Sequence, residues 1–130
     1  MKIFKDKHTL QKEILKTKGI SFIPTMGGLH KGHISLIKES KKSGFKTLVS
    51  IFVNPKQFNK KSDFRSYPRS AKKDIRLLKK LKINYLYTPV FKDICPLCKP
   101  PIVGINDIGL LRISFCRLIL SLNIFISLQQ

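Results

Sequence analysis

Between Ile20 and Pro89 the apolar positions change period several times. Ile20-Ser21-Phe22-Ile23 is a short apolar run that meets Pro24 and then Gly27 and Gly28, the length and punctuation of a buried strand running into a turn. Ile34 and Ile37 then recur at helical spacing, with Lys38, Glu39, Lys41 and Lys42 towards solvent and Gly44 as the stop. Lys46-Thr47-Leu48-Val49-Ser50-Ile51-Phe52-Val53 is β-branched and almost uncharged, which predicts a fully buried strand broken by Asn54-Pro55. Asp74, Ile75, Leu77, Leu78 and Leu81 predict a second amphipathic helix with Ser70 as its cap, and Ile83 to Pro89 a third strand. Upstream, Leu10, Ile14 and Leu15 share one face of a helix expected from Thr9, with Thr9 capping its start and Gly19 its end. The polar stretch from Asn59 to Ser66 reads as a mobile or ligand-binding loop. Strand, helix, strand, helix, strand predicts an α/β fold: a parallel, Rossmann-like sheet with right-handed crossovers and helices on its faces.

The 130 residues suit one domain with a core of moderate size. A formal charge of +19 raises the question of an anionic partner. Lysine outnumbers arginine 21 to 5 and is scattered through helices and loops, without the arginine clusters or aromatic platforms of nucleic-acid modules. A solvated lysine-rich surface is therefore the better reading, and nucleic acid is kept as an alternative partner resting on charge alone. Residues 1–7 contain no apolar run long enough for a secretory signal, so a cytoplasmic location is expected. His8 receives no role.

Chemistry concentrates at the first turn, where Met26-Gly27-Gly28-Leu29-His30-Lys31-Gly32-His33 joins a strand to a helix. A helix starting near Gly32 would direct unpaired N–H groups and its positive dipole end at the turn, as anion sites do. His30 and His33 lie three apart, so both rings can reach one phosphate, and Gly32 leaves room for close backbone approach. A short His-x-Gly-His match also arises by chance, and an isolated histidine is commonly structural; the strand before it and the helix after it favour function. Gln57, past the end of the second strand, carries donors and an acceptor suited to a hydroxy acid, or is a plain loop amide. Asp74 falls in the first turn of a helix, where a carboxylate complements the dipole. The dinucleotide fingerprint Gly-x-Gly-x-x-Gly is absent from this part, so a nicotinamide redox role is unsupported.

Three blocks, Pro24 to His33, Ser50 to Phe58 and Tyr67-Pro68-Arg69-Ser70, resemble the pantothenate synthetase (pantoate–β-alanine ligase) family. The resemblance implies a partial nucleotidyltransferase domain that binds ATP as a substrate with Mg2+, and condenses pantoate with β-alanine through pantoyl adenylate. It implies ATP contacts from Met26 through His33, catalytic roles for His33 and His30, and a Gln57 that holds pantoate and β-alanine. It also puts Asp74 near magnesium and phosphate, although one carboxylate does not make a magnesium site. Family members are commonly homodimers, and fusions to cytidylate kinase occur among them.

The resemblance covers residues 1–94 and then stops. Residues 1–92 hold 23 basic and 5 acidic residues, whereas residues 93–130 hold 3 and 2, a composition break that marks a boundary. The family's Gly-Glu-Lys-Asp element, its Ser-Ser-Arg-Asn segment and its C-terminal lid are not found beyond it, so residues 95–130 read as a divergent, apolar tail, truncated or out of frame. Cys95 and Cys98 have the spacing of half a zinc site, but only Cys116 follows, so free thiols are expected. Asp107, Arg112, Arg117 and Asn123 interrupt the apolar stretch from Ile102 to Leu128 below the roughly 20 residues of a membrane span.

Overall fold

In a computed structural model of the chain, the described residues are 1–53, 58, 60–67 and 70–90. Gln57, Pro68, Arg69, the three cysteines and the tail from residue 95 lie outside them. Among the described residues eight elements follow one another: β1 (Lys2–Phe4), α1 (Lys7–Ile14), β2 (Ile20–Thr25), α2 (Lys31–Lys42), β3 (Lys46–Ile51), α3 (Lys61–Ser66), α4 (Ala71–Lys80) and β4 (Tyr85–Tyr87). All strand pairs are parallel, in the order β1-β4-β3-β2. The expected α/β sheet is present.

Successive side chains of a strand point to opposite faces, and each face has its own core. Phe22, Leu48, Tyr85 and Tyr87 pack with Leu10 and Ile14 of α1. Ile23, Val49 and Leu86 pack on the other side with Ile37 of α2 and Leu78 of α4. Leu48 and Val49 are wholly buried on opposite faces, which explains why β3 reads as a continuous apolar run without alternation.

Several local expectations need correction, and one strand has no counterpart in the sequence pattern. Asp6, not Thr9, caps α1: its Oδ1 accepts the N–H groups of His8 and Thr9 at 2.9 and 3.1 Å, and the Thr9 hydroxyl donates to the same carboxylate. A carboxylate offers more acceptor sites than a threonine hydroxyl, and carries the charge that complements the helix start. Gly19 does not cap α1, which ends at Ile14; a Cβ on Gly19 would come within 2.5 Å of the Phe45 ring. Part of the expected loop from Asn59 to Ser66 is the helix α3, with Asp63 in its first turn and Phe64 against Phe58 at 5.6 Å. β1 has no periodic signal in its three residues; Lys2 N–H to Asn84 O and Thr88 N–H to Phe4 O, both 2.9 Å, hold it at the sheet edge.

β2 runs through Pro24 to Thr25 instead of stopping at the proline. Among the described residues β2 is an edge strand, where a missing N–H is tolerated, and Pro24 is exposed. Ser70 stands at the start of α4, but its hydroxyl makes no capping bond.

Candidate active site

The turn after β2 is built from the strand end upward. The buried Thr25 hydroxyl donates to Ser50 O of β3 at 2.8 Å and accepts the Gly27 N–H at 3.2 Å. Gly27 and Gly28 both have left-handed backbones, φ +84° and +63°, which bend the chain back over the strand end. That bend turns the next two N–H groups inward onto Asp74: Gly28 donates to Oδ2 at 2.9 Å and Leu29 to Oδ1 at 3.0 Å. Asp74 is only 4 % exposed. Leu29 packs its side chain against the core beneath α2 and α4.

His30 then caps α2. Its backbone is extended, its Nδ1 accepts the Gly32 N–H at 3.1 Å, and the His33 Nδ1 accepts the His30 N–H at 3.4 Å, a reciprocal capping box made by two imidazoles. The rings lie 4.1 Å apart and are tilted by 55°. A neutral imidazole whose Nδ1 accepts a hydrogen bond carries its proton on Nε2. Both rings are thus set to donate through Nε2–H. Burial, and then the neighbouring His30, hold the His33 pKa below the usual 6.5, with Asp74 pulling weakly the other way. His33 is therefore neutral at pH 7.

This geometry changes the expected source of anion contacts. The N–H groups of Gly27, Gly28, Leu29, His30 and Gly32 are all engaged within the turn, so they are not the unpaired donors that the helix start suggests. Gly32 gives room to the His30 ring: an added Cβ would sit 3.0 Å from its Cε1. Met26 is half-buried beside the turn, and Lys31 is exposed at the first position of α2.

Each Asp74 carboxylate oxygen accepts one backbone N–H group, so the carboxylate is engaged in holding the turn. Among the described residues no group of three or more His, Cys, Asp or Glu side chains could hold an ion. Sequence reasoning missed the brace that Thr25 and Asp74 give the turn. For Asp74 the signal exists: it shares the i, i+4, i+7 stripe of Leu78 and Leu81, so a carboxylate falls on an otherwise apolar face.

A family model described as pantoate-beta-alanine ligase matches residues 2–118, past the point at residue 94 where the resemblance read from the sequence ends. The chain belongs to the pantoate-beta-alanine ligase family. A pantothenate synthetase of Francisella tularensis subsp. novicida is 46% identical over 92 residues, which cover 71% of this chain and 35% of that protein. A Francisella tularensis pantoate-beta-alanine ligase solved with beta-gamma ATP and beta-alanine superposes with a TM-score of 0.76 at 33% identity, over 94% of this chain and 53% of that one. The pantothenate synthetase of Thermus thermophilus gives 0.74 at 25% identity, over 95% of this chain and 49% of its own. The chain thus spans about a third of the length of the curated ligases it matches and about half of the solved ones. No helix among the described residues is long and apolar enough to cross a membrane.

Proposed function

We propose that this chain is the ATP- and pantoate-binding section of a pantothenate synthetase. One observation carries the reading: two imidazoles 4.1 Å apart, both with Nδ1 occupied by backbone N–H, present paired Nε2–H donors at a strand–turn–helix junction. In the reaction of the family, the pantoate carboxylate attacks the α-phosphate of ATP and releases pyrophosphate. The amine of β-alanine then displaces AMP from pantoyl adenylate to give pantothenate.

Negative charge grows on the phosphate oxygens in the first transition state, and fixed donors aimed at it lower the barrier. His30 and His33 would supply those donors, with the α2 dipole behind them and His33 the proton donor to the leaving side. Met26, Gly27 and Gly28 would lie along the nucleotide, and Lys31, exposed at the helix start, would face its phosphates. Gln57 would orient pantoate and β-alanine; the adjacent Phe58 is anchored against Phe64 and Tyr67 at 5.6 and 5.3 Å. Magnesium would neutralise the triphosphate it travels with. A cytoplasmic homodimer, as is common in the family, is the expected assembly, which sedimentation would test.

Calorimetry with ATP and pantoate on the purified chain tests this reading. His33→Ala is expected to weaken ATP binding by about 10- to 100-fold, the worth of a hydrogen bond to a charged group, and Gln57→Ala to weaken pantoate binding. A folded wild-type chain that binds neither ligand would overturn it.

A further inference from the structure

The fold uses Asp74 for something that neither dipole complementation nor metal binding requires. It is the one carboxylate among the described residues that is buried, and it reaches across from α4 to a turn some 45 residues earlier. Both oxygens are spent on consecutive N–H groups of that turn, at 2.9 and 3.0 Å. We infer that Asp74 is a positioning residue for the nucleotide site: it holds the left-handed Gly27-Gly28 turn in the one shape that delivers His30 and His33 as a pair.

The physical reason lies in the turn itself. Two successive left-handed residues point the following amides into the protein, where a donor without a partner is costly. The nearby sheet carbonyls are engaged elsewhere: that of Ser50 accepts the Thr25 hydroxyl and that of Thr25 the Phe52 N–H. An anionic acceptor with two oxygens meets both amides at once. The approach is close: a Cβ on Gly27 would lie 3.1 Å from Asp74 Oδ2. With Leu29 N–H fixed and its side chain in the core, His30 must start α2 where its Nδ1 meets the Gly32 N–H. Asp74 therefore acts through backbone, without touching the ligand, and α4 becomes part of the site although it carries no group that contacts phosphate.

The inference rests on the ATP reading above, and its test separates the two. Amide hydrogen exchange would be measured by NMR on the full chain, wild type and Asp74→Asn, with ATP affinity measured both in magnesium and in EDTA. Asn keeps the shape and one acceptor but turns an NH2 donor towards the second amide. In wild type, Gly28 and Leu29 should exchange slowly for turn residues. In Asp74→Asn one or both should exchange about tenfold faster or more, the loss expected for a charge-assisted bond, while Leu48 and Val49 in β3 keep their rates. ATP affinity should fall by a similar factor, equally with and without magnesium.

Unprotected Gly28 and Leu29 amides in wild type would overturn the inference without any variant. So would an affinity loss seen only in magnesium, which would make Asp74 a metal ligand, or acceleration at Leu48 and Val49 in step with the turn, which would make it a general stabiliser. A wild type that binds no ATP would defeat the nucleotide reading, while the exchange rates would still decide whether Asp74 holds the turn.

Discussion

His33 shows how two features of one residue can serve the same end. Accepting the His30 N–H requires an unprotonated Nδ1, and half-burial beside a second imidazole keeps the ring neutral. Protonation would break the capping bond and remove the neutral donor tautomer together. A histidine whose folded pKa is lowered stabilises the fold fully above its unfolded pKa, and that contribution is lost as pH falls towards the folded pKa. The chain should thus be less stable to urea at pH 5 than at pH 7.5, and His33→Gln should reduce that difference. An unchanged difference in the variant would put the acid sensitivity elsewhere. His30 and His33 are legible in the sequence as a pair because their spacing alone brings them together. Their orientation is not, since it depends on which nitrogen each ring offers to a backbone N–H.

At the level of elements, the end of α4 illustrates a local rule obeyed with an unfavourable residue. Lys82 N–H donates to Lys79 O at 3.0 Å and Ile83 N–H to Leu78 O at 3.4 Å, the bond pair of a Schellman cap, with Ile83 and Leu78 in the same core. Glycine usually holds the left-handed position, but here it is Lys82, at φ 51°. Lys82→Gly should raise stability by about 1 kcal/mol, read from the urea midpoint, because the Cβ penalty disappears and little else changes. The two glycines of the turn should behave unequally. Gly28→Ala meets open space and carries only the left-handed penalty of about 1–2 kcal/mol, whereas Gly27→Ala also crowds Asp74 Oδ2 and Ile51 and should cost more. Equal losses would mean that Asp74 yields freely.

For the whole molecule, the sheet separates two charge environments. The imidazoles follow the carboxyl end of β2, as ligand sites in parallel sheets do. At the opposite, amino-terminal edge a cleft of about 650 Å³ is lined by Lys2, Lys46, Lys79 and Lys82, with Glu13 paired to Lys2 at 2.6 Å. This cleft lies at the opposite end of the strands from the histidines, and its four lysines are exposed. With a net +19, the chain should bind RNA weakly and lose that affinity steeply between about 50 and 200 mM salt. His33→Ala should leave the RNA affinity unaltered while it weakens ATP. Loss of both together would mean that the turn is itself the polyanion site. A core change such as Leu48→Ala, at a wholly buried position between strands, should lower stability by about 3 kcal/mol.

Apart from α3, the order of strands and helices from Ile20 onward, the glycine turn and the histidine pair can be read from the chain alone, because apolar period, turn residues and i, i+3 spacing are properties of neighbours along it. So can the family, through three short blocks. Other features depend on residues far apart in sequence and follow from packing alone. Lys2 to Phe4 becomes a strand because β4 offers it a backbone edge, not because of its own pattern. Asp74 turns from a helix-start carboxylate into the acceptor for Gly28 and Leu29 because the packing of α4 brings it under the turn. Two of the amides at the start of α2, those of His30 and Gly32, are closed by the imidazoles they were expected to assist, since the folded turn places a ring nitrogen within reach of both.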